Sequence, residues 1–292
     1  MHNPAQFFAG KEITVMGIDP EGRGIQDAVF LAEAGAEVVA TDLQTEDELR
    51  ESVQALKEYE NVELVLGRHR MRDFQNKDFI IRPASAPLDS KYLDEAKEND
   101  IPVEIDETLF LKYAPEITAI GVTGTRGKST VTHMIAHILR EAYSKKDRNV
   151  LLLGNVRGKA ALPKLTEVKE GDIAVMELSS WQLQAFGNQK ISPEIAVFTS
   201  FMEDHLDYYA DDPDDPASRK AGMQKYFEDK SQIYKHQLPD DSLIIRSDLA
   251  DRIGSDTSFR AVSDTDFPDE WTLQLPGKHN RLNAALAIMA AR

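Results

Sequence analysis

The run Gly124-Thr125-Arg126-Gly127-Lys128-Ser129-Thr130 gathers two glycines, a lysine and three hydroxyl side chains in consecutive positions. Glycines let backbone N–H groups close on phosphate oxygens, and a helix opening at Lys128 adds the positive end of its dipole. In such a loop Lys128 reaches the β- and γ-phosphates, and Ser129 or Thr130 can hold Mg²⁺. The run departs from the general G-x-x-x-x-G-K-[ST] form, because Val122 stands where the first glycine would be. A Gly-rich strand-to-helix turn with a chance lysine is the bland alternative. The apolar strand expected over Ile117–Val122 and the amphipathic helix expected over Lys128–Glu141 favour the phosphate loop.

Ligands of a parallel sheet gather beyond the carboxyl ends of its strands. Glu177 follows an expected strand, Asp172–Met176, and His205 lies soon after another, Glu194–Phe198. Lys128, Glu177 and His205 are therefore expected to converge. A carboxylate and a neutral imidazole beside a triphosphate suit a divalent cation. A strand-end surface carboxylate and a helix-start or solvent-facing imidazole are equally open readings of those two residues. A second glycine-containing loop runs Gly17-Ile18-Asp19-Pro20-Glu21-Gly22-Arg23-Gly24. Gly17, Gly22 and Gly24 do not fit G-x-G-x-x-G, yet Asp42 ends the next strand, where a Rossmann-like domain contacts a ribose or base. A turn without a ligand explains that loop about as well.

The elements that must position these residues alternate between strand and helix. In the first part, strands are expected at Glu12–Ile18, Glu37–Ala40, Val62–Leu66, Asp78–Ile81 and Ile101–Ile105. A helix should cover Ile25–Ala34, closed by Gly35, and Thr45 with Glu48 has the spacing of a capping box for another. The pattern pauses at Lys112-Tyr113-Ala114-Pro115, which sets a boundary between residues 1–114 and 115–292. Further strands are expected at Val150–Leu153, Leu243–Ile245 and Trp271–Leu275, with helices over Arg219–Tyr234 and from Asn280 onward. This rhythm predicts an α/β chain with an N-terminal Rossmann-like parallel-sheet domain followed by a phosphate-loop α/β ATPase domain. The final helix meets Arg292 with no cap or polar tail, so a further domain is expected beyond it.

Composition narrows the function classes. The 292 residues are 41% hydrophobic and 29% charged, enough to bury two cores. A net charge of −16 repels nucleic acid and anionic membranes. The absence of cysteine excludes disulfides and thiolate metal sites. Met1-His2-Asn3-Pro4 lacks the basic start and apolar core of a secretory signal, so a cytoplasmic location is expected, without nucleic acid or membrane insertion. Asp211-Asp212-Pro213-Asp214-Asp215-Pro216 reads as a solvated loop rather than a metal site.

Four segments resemble the Mur ligase family, most closely its D-glutamate-adding branch. Thr123–Thr130 looks like the TGTNGKST loop, and Glu177-Leu178-Ser179-Ser180-Trp181-Gln182-Leu183 is similar to ELSSFQL. Glu203-Asp204-His205-Leu206-Asp207 resembles EDHLD, and Pro276–Ala284 resembles G-x-HN-x-x-NA. The resemblance covers essentially the whole chain in order. It implies an ATP- and Mg²⁺-dependent amide ligase that activates UDP-N-acetylmuramoyl-L-alanine as an acyl phosphate and joins it to D-glutamate, and a monomer is expected. Residues 1–114 would bind the UDP-substrate and 115–292 would bind ATP, while the family's third domain, which supplies much of the amino-acid site, is absent.

By the same resemblance, Gly124, Thr125, Arg126, Gly127, Lys128, Ser129 and Thr130 would hold ATP, with Asn280 and Asn283 near the nucleotide. Ser129, Glu177, His205 and Lys230 would serve metal, Lys230 as a carbamylated lysine. Lys128, Glu177, His205 and Lys230 form the expected catalytic group. Gly17, Gly22, Gly24, Asp42, Asn155 and Ser180 would face the UDP-substrate. A helix-surface lysine and a helix-capping asparagine are the plain readings of Lys230 and Asn280. Two departures stand out: Arg126 replaces the family's asparagine, and Ser85 lies where SPG is usual. They leave open a sibling ligase acting on another carboxylate, and the missing domain leaves open a non-catalytic nucleotide-binding module.

Overall fold

The structure, a computed structural model, describes residues 3–19, 22–155 and 159–292. Pro20 and Glu21 of the first glycine loop, Met1 and His2 of the N-terminus and Val156 beside Asn155 lie outside the described residues. The chain divides into two compact units, Met1–Pro115 with Val156–Glu170, and Glu116–Asn155 with Gly171–Arg292.

The first unit contains α1 (Ala5–Phe8), β1 (Glu12–Met16), α2 (Gly24–Glu33), β2 (Glu37–Thr41), α3 (Arg50–Leu56), β3 (Val62–Val65), β4 (Phe79–Ile81), α4 (Lys91–Glu98), β5 (Val103–Glu104) and α5 (Asp106–Tyr113). Its strands form one parallel sheet in the order β3-β2-β1-β4-β5. The order reverses between β1 and β4, so the crevice for a ligand opens at the carboxyl ends of those strands. Phe8 packs edge-on against Phe30, Phe79 and Tyr113, with ring centroids 5.8, 6.3 and 5.0 Å away. On α2, Ile25, Ala28, Leu31 and Ala32 form the buried helical stripe. Ala34 caps the helix and Gly35 follows with φ +83°, as its position predicts.

The second unit contains β6 (Thr118–Thr123), α6 (Lys128–Tyr143), β7 (Val150–Gly154), β8 (Ile173–Glu177), α7 (Ser180–Gln189), β9 (Ile195–Phe198), α8 (Leu206–Tyr209), α9 (Pro216–Ser231), β10 (Ser242–Arg246), β11 (Arg260–Val262) and α10 (Lys278–Ala290). Its six-stranded sheet runs β11-β10-β9-β6-β8-β7, and every paired register is parallel. Helices cover such a sheet, so its strands are apolar throughout rather than alternating; β8 is buried along its whole length. Val131, Ile135, Ala136 and Leu139 of α6 and Ala284, Leu286 and Ala287 of α10 share one core with Ile120, Val122, Val175 and Val197.

Two local expectations fail for physical reasons. Thr45 N and Oγ1 do donate to Glu48 at 2.7 and 2.8 Å, but they close a turn, and the helix starts only at Arg50. On that helix Val53 and Leu56 are buried, whereas residues 45–48 are exposed. Trp271–Leu275 alternates like a strand but forms none. Beside β10 the sheet edge is taken by Arg260–Val262, and Trp271 and Leu275 stay exposed. The helix expected from Arg219 starts earlier: Asp215 accepts from Ser218 N at 2.7 Å, with Pro216 in the first turn. Among the described residues no helix is long and apolar enough to cross a membrane.

Because Ile135 is fully buried between α6, α10 and the sheet, Ile135→Ala should cost the second unit about 2–5 kcal/mol. Leu238→Ser, at an exposed site, should change stability by less than about 0.5 kcal/mol. Urea unfolding followed by tryptophan fluorescence compares the two.

Candidate functional site

The strand order sets β9, β6 and β8 side by side, so Ser200, the glycine loop and Glu177 emerge from neighbouring carboxyl ends. The loop after β6 is clamped from β9. Thr125 N donates to Ser200 O at 2.8 Å and Arg126 N donates to Ser200 Oγ at 2.8 Å. Thr199 Oγ1 and Ser200 Oγ return bonds to Arg126 O at 2.6 and 2.9 Å. This closeness explains Gly124, whose φ is +144°: a Cβ there would overlap Thr199 Oγ1 and Ser200 N. Gly127, at φ +88°, turns the chain into α6, and a Cβ on it would lie 2.8 Å from Asn283 Oδ1. No side chain caps this end of α6, and Ser129 there is exposed.

Two lysines point at one carbonyl. Lys128 Nζ donates to Gly124 O at 3.0 Å and to Thr125 O at 3.3 Å. Lys230 Nζ, from α9, donates to the same Gly124 O at 3.0 Å. Lys230 is only 1% exposed, and its ammonium lies 4.7 Å from the centre of the Tyr226 ring. Burial, reinforced by the Lys128 charge, pulls its pKa down to about 7 against the pull of Asp204 and Asp229. Burial also lowers the Lys128 pKa, which Glu177 and Asp204 oppose and Arg126 assists.

The other expected residues fall around this pair. Glu177 is buried at the end of β8, where Asn155 Nδ2 approaches its Oε1 at 3.4 Å and Asn155 N donates to its carbonyl at 2.7 Å. His205 precedes α8 in a left-handed conformation, φ +54°. Its ring sits between Trp181 at 4.9 Å and Tyr226 at 5.8 Å. Arg126 is 71% exposed and pairs with Asp204 at 3.3 Å. Ser180 is buried in the first turn of α7. Asn283 Nδ2 donates to Asn280 Oδ1 at 3.2 Å, and Asn280 Nδ2 donates to Pro276 O at 2.8 Å. Gly277 occupies the capping position of α10, so Asn280 lies within the first turn instead.

Among the described residues no three His, Asp or Glu side chains gather into a ready-made metal cage. Ser129, Glu177 and His205 provide two oxygen donors and one imidazole from separate elements. An ion held by these few groups would need its remaining ligands from phosphate oxygens and water, as Mg²⁺ commonly takes them.

In the first unit, Asp42 is buried, with its oxygens accepting from Ile18 N at 2.8 Å and Gln44 N at 2.9 Å. Gly17 N donates to Thr41 O and Gly22 N to Asp19 O, while Gly24 opens α2. Ser85 is exposed in a turn. Arg82, buried beside it, donates Nη1 to Pro83 O at 3.1 Å and Ala84 O at 2.9 Å. Sequence reasoning passed over Thr199, Ser200, Asp204 and Tyr226. The rule that led to Glu177 and His205 also reaches Thr199 and Ser200, which follow β9 directly. Tyr226 stands four residues before Lys230 on one helix, the spacing that makes side chains neighbours.

Comparison with known proteins bears on this arrangement. Residues 122–267, half the chain, match the Mur ligase middle domain. A Roseiflexus sp. (strain RS-1) protein named UDP-N-acetylmuramoylalanine–D-glutamate ligase is 36% identical over 82% of this chain and 48% of its own length. Proteins of the same name from Treponema pallidum (strain Nichols) and Borreliella burgdorferi (strain ZS7) are 32% and 34% identical over 85% and 76% of this chain. The chain spans about half the length of these curated relatives, 46% and 45% in the latter two. With a matched middle domain that contains the clamped loop, Lys128, Glu177, His205 and Lys230, the chain belongs to the Mur ligase family.

Proposed function

We propose that the chain is the nucleotide-binding part of an ATP-dependent ligase that joins D-glutamate to UDP-N-acetylmuramoyl-L-alanine. The carrying observation is the pair of ammonium groups, Lys128 and Lys230, that converge on Gly124 O beside the uncapped start of α6. Lys128 and the free helix N-terminus form a donor set suited to a polyphosphate, and Lys230 places a second, titratable amine beside them. The names of the relatives support the substrate pair.

A carboxylate resists nucleophiles because of its negative charge. One of its oxygens would bond to the γ-phosphorus of ATP as the bond to ADP breaks, giving an acyl phosphate. The amine of D-glutamate would then add to the acyl carbon, lose a proton and expel phosphate. Lys128 and the loop N–H groups would hold the β- and γ-phosphates, with Arg126 within reach as a further cation. Ser129 and Glu177 would hold one Mg²⁺ and His205 a second, with Lys230 assisting. The ions would offset charge on the phosphate oxygens. Lys230, with its pKa near 7, offers a neutral amine that can add CO₂, forming an N–C bond and releasing a proton. The resulting carbamate would give an anionic oxygen donor beside Lys128. Asn283, beside Gly127, and Asn280, which accepts from it, would lie against the nucleotide. Asn155 and Ser180 would meet the acceptor, whose uridine diphosphate would occupy the crevice of the first unit near Gly17, Gly22, Gly24 and Asp42. Arg126 also favours a second reading, a sibling ligase with another carboxylate and amino acid.

With ATP, Mg²⁺, UDP-N-acetylmuramoyl-L-alanine and D-glutamate, the complete protein carrying this chain should release phosphate. Lys128→Ala should lower kcat/KM by about 10²–10³-fold. Release with a different acceptor and amino acid, but not with this pair, selects the sibling reading. A decrease of less than about tenfold would remove Lys128 from its role.

Lys230 also predicts a pH dependence. Its folded-state pKa, about 7, is below the ordinary 10.5, so between those values the unfolded chain holds a proton that the folded chain lacks. The Lys230 contribution to stability therefore rises with pH across this window. In Lys230→Met, urea unfolding measured near each end of the window should show a flatter rise than in the parent. Equal slopes would contradict a depressed Lys230.

A further inference from the structure

The first unit buries a second charge cluster, which the ligase chemistry does not use. Asp27 on α2 is 2% exposed, Glu107 on α5 is fully buried and Asp106 is nearly so. Arg23, which precedes α2, donates to Glu107 and, at 3.4 Å, to Asp106. The second Asp106 oxygen accepts from Ala161 N at 2.9 Å, and Gln26 Oε1 accepts from Ala160 N at 3.3 Å. The cluster thus joins α2, α5 and residues 159–170, all within one unit.

Two features call for a proton here. Asp27 Oδ1 has no hydrogen-bond partner among the described residues. Three ionised carboxylates against one guanidinium would leave uncompensated negative charge away from water. Burial, with the neighbouring carboxylates adding to it, holds Asp27 and Glu107 well above the usual carboxylate range, and Arg23 opposes this only in part.

Charges on the surrounding elements are engaged elsewhere or exposed. Lys164 pairs with Glu167, Lys112 with Glu104, Arg50 with Asp47 and Lys77 with Glu12. Tyr59 donates to Glu33, while Lys159, Glu37 and Glu51 are exposed.

We propose that Arg23, Asp27, Asp106 and Glu107 form a proton-loaded latch that fastens residues 159–170 to α2 and α5, and that loss of the proton opens it. The closed form keeps a proton that a released chain gives up at ordinary carboxyl values, 3.8 for Asp and 4.5 for Glu. Closure is therefore fully favoured below those values and weakens as pH rises toward the folded-state titration. The latch stands independently of the ligase reading. It would make the segment that follows Asn155 in sequence, and the helix that follows the Gly17–Gly24 loop, sensitive to alkaline conditions.

Hydrogen exchange of the intact chain, read by mass spectrometry on peptides covering 159–170, tests it. After correction for intrinsic exchange, wild-type protection should fall by up to about tenfold per pH unit for each proton lost, over some part of the range from about pH 5 to pH 8. Peptides from α4 should show no such trend. Asp27→Asn removes one ionisation and should hold 159–170 closed at the upper end of the range, and Glu107→Gln should act in the same direction. A flat wild-type profile would overturn the latch, as would an Asp27→Asn profile that follows the wild type. The wild-type slope decides the matter even if a variant does not fold.

Discussion

Lys128 and Lys230 both donate to the carbonyl of Gly124, and much of the second unit is arranged around that shared acceptor. Two ammonium groups on one neutral oxygen leave local positive charge that a peptide dipole offsets only in part. The arrangement persists because α9 is packed so that Lys230 has little alternative: Tyr226 faces its charge, Thr125 meets the Tyr226 hydroxyl at 3.4 Å, and Phe227 stacks on Phe198 at 5.8 Å. Fully charging a buried lysine costs energy that decreases if the amine loses its proton or an anion arrives. The site is thereby built to prefer a negatively charged guest.

The loop that offers this carbonyl is held by its neighbours. Hydroxyls of Thr199 and Ser200 bond to Arg126 on both its N–H and its C=O, so the backbone is set before any phosphate enters. Such preorganisation places the cost of ordering in folding rather than in binding. The Arg126 side chain is different, being exposed and, among the described residues, paired with Asp204. Exposed pairs contribute little, so this cation can exchange partners at small cost. In the second unit the buried Lys230 lies beside Lys128, while the first unit buries carboxylates around Arg23 and retains a proton among them.

Much of this was legible from local sequence. The β6 strand, the glycine turn and the α6 helix follow from apolar run, glycine positions and helical spacing over adjacent residues, and they appear within a residue or two of expectation. The sheet-edge rule brought Glu177 and Lys128 into one electrostatic neighbourhood. His205 reached the same edge, but its neighbours there are Trp181, Tyr226 and Asp204. The alternation of Trp271–Leu275 misled, because a strand needs a free sheet edge as well as a pattern, and Arg260–Val262 holds the edge beside β10.

By itself, the sequence determined the local chemistry: a phosphate loop, strand-end acids and imidazoles, and the motif order of a Mur ligase. These depend on residues close together along the chain, where spacing and conformation are linked directly. Tertiary structure alone decided that Lys230 would share an acceptor with a lysine about a hundred positions earlier, and that Asp106 would bind Ala161. It also decided that 159–170 would group with the first unit and that Lys230 and Asp27 would lie out of water. Burial and long-range contact depend on which surfaces close over a residue, and side-chain desolvation, which moves the Lys230 pKa to about 7, exists only after they have closed.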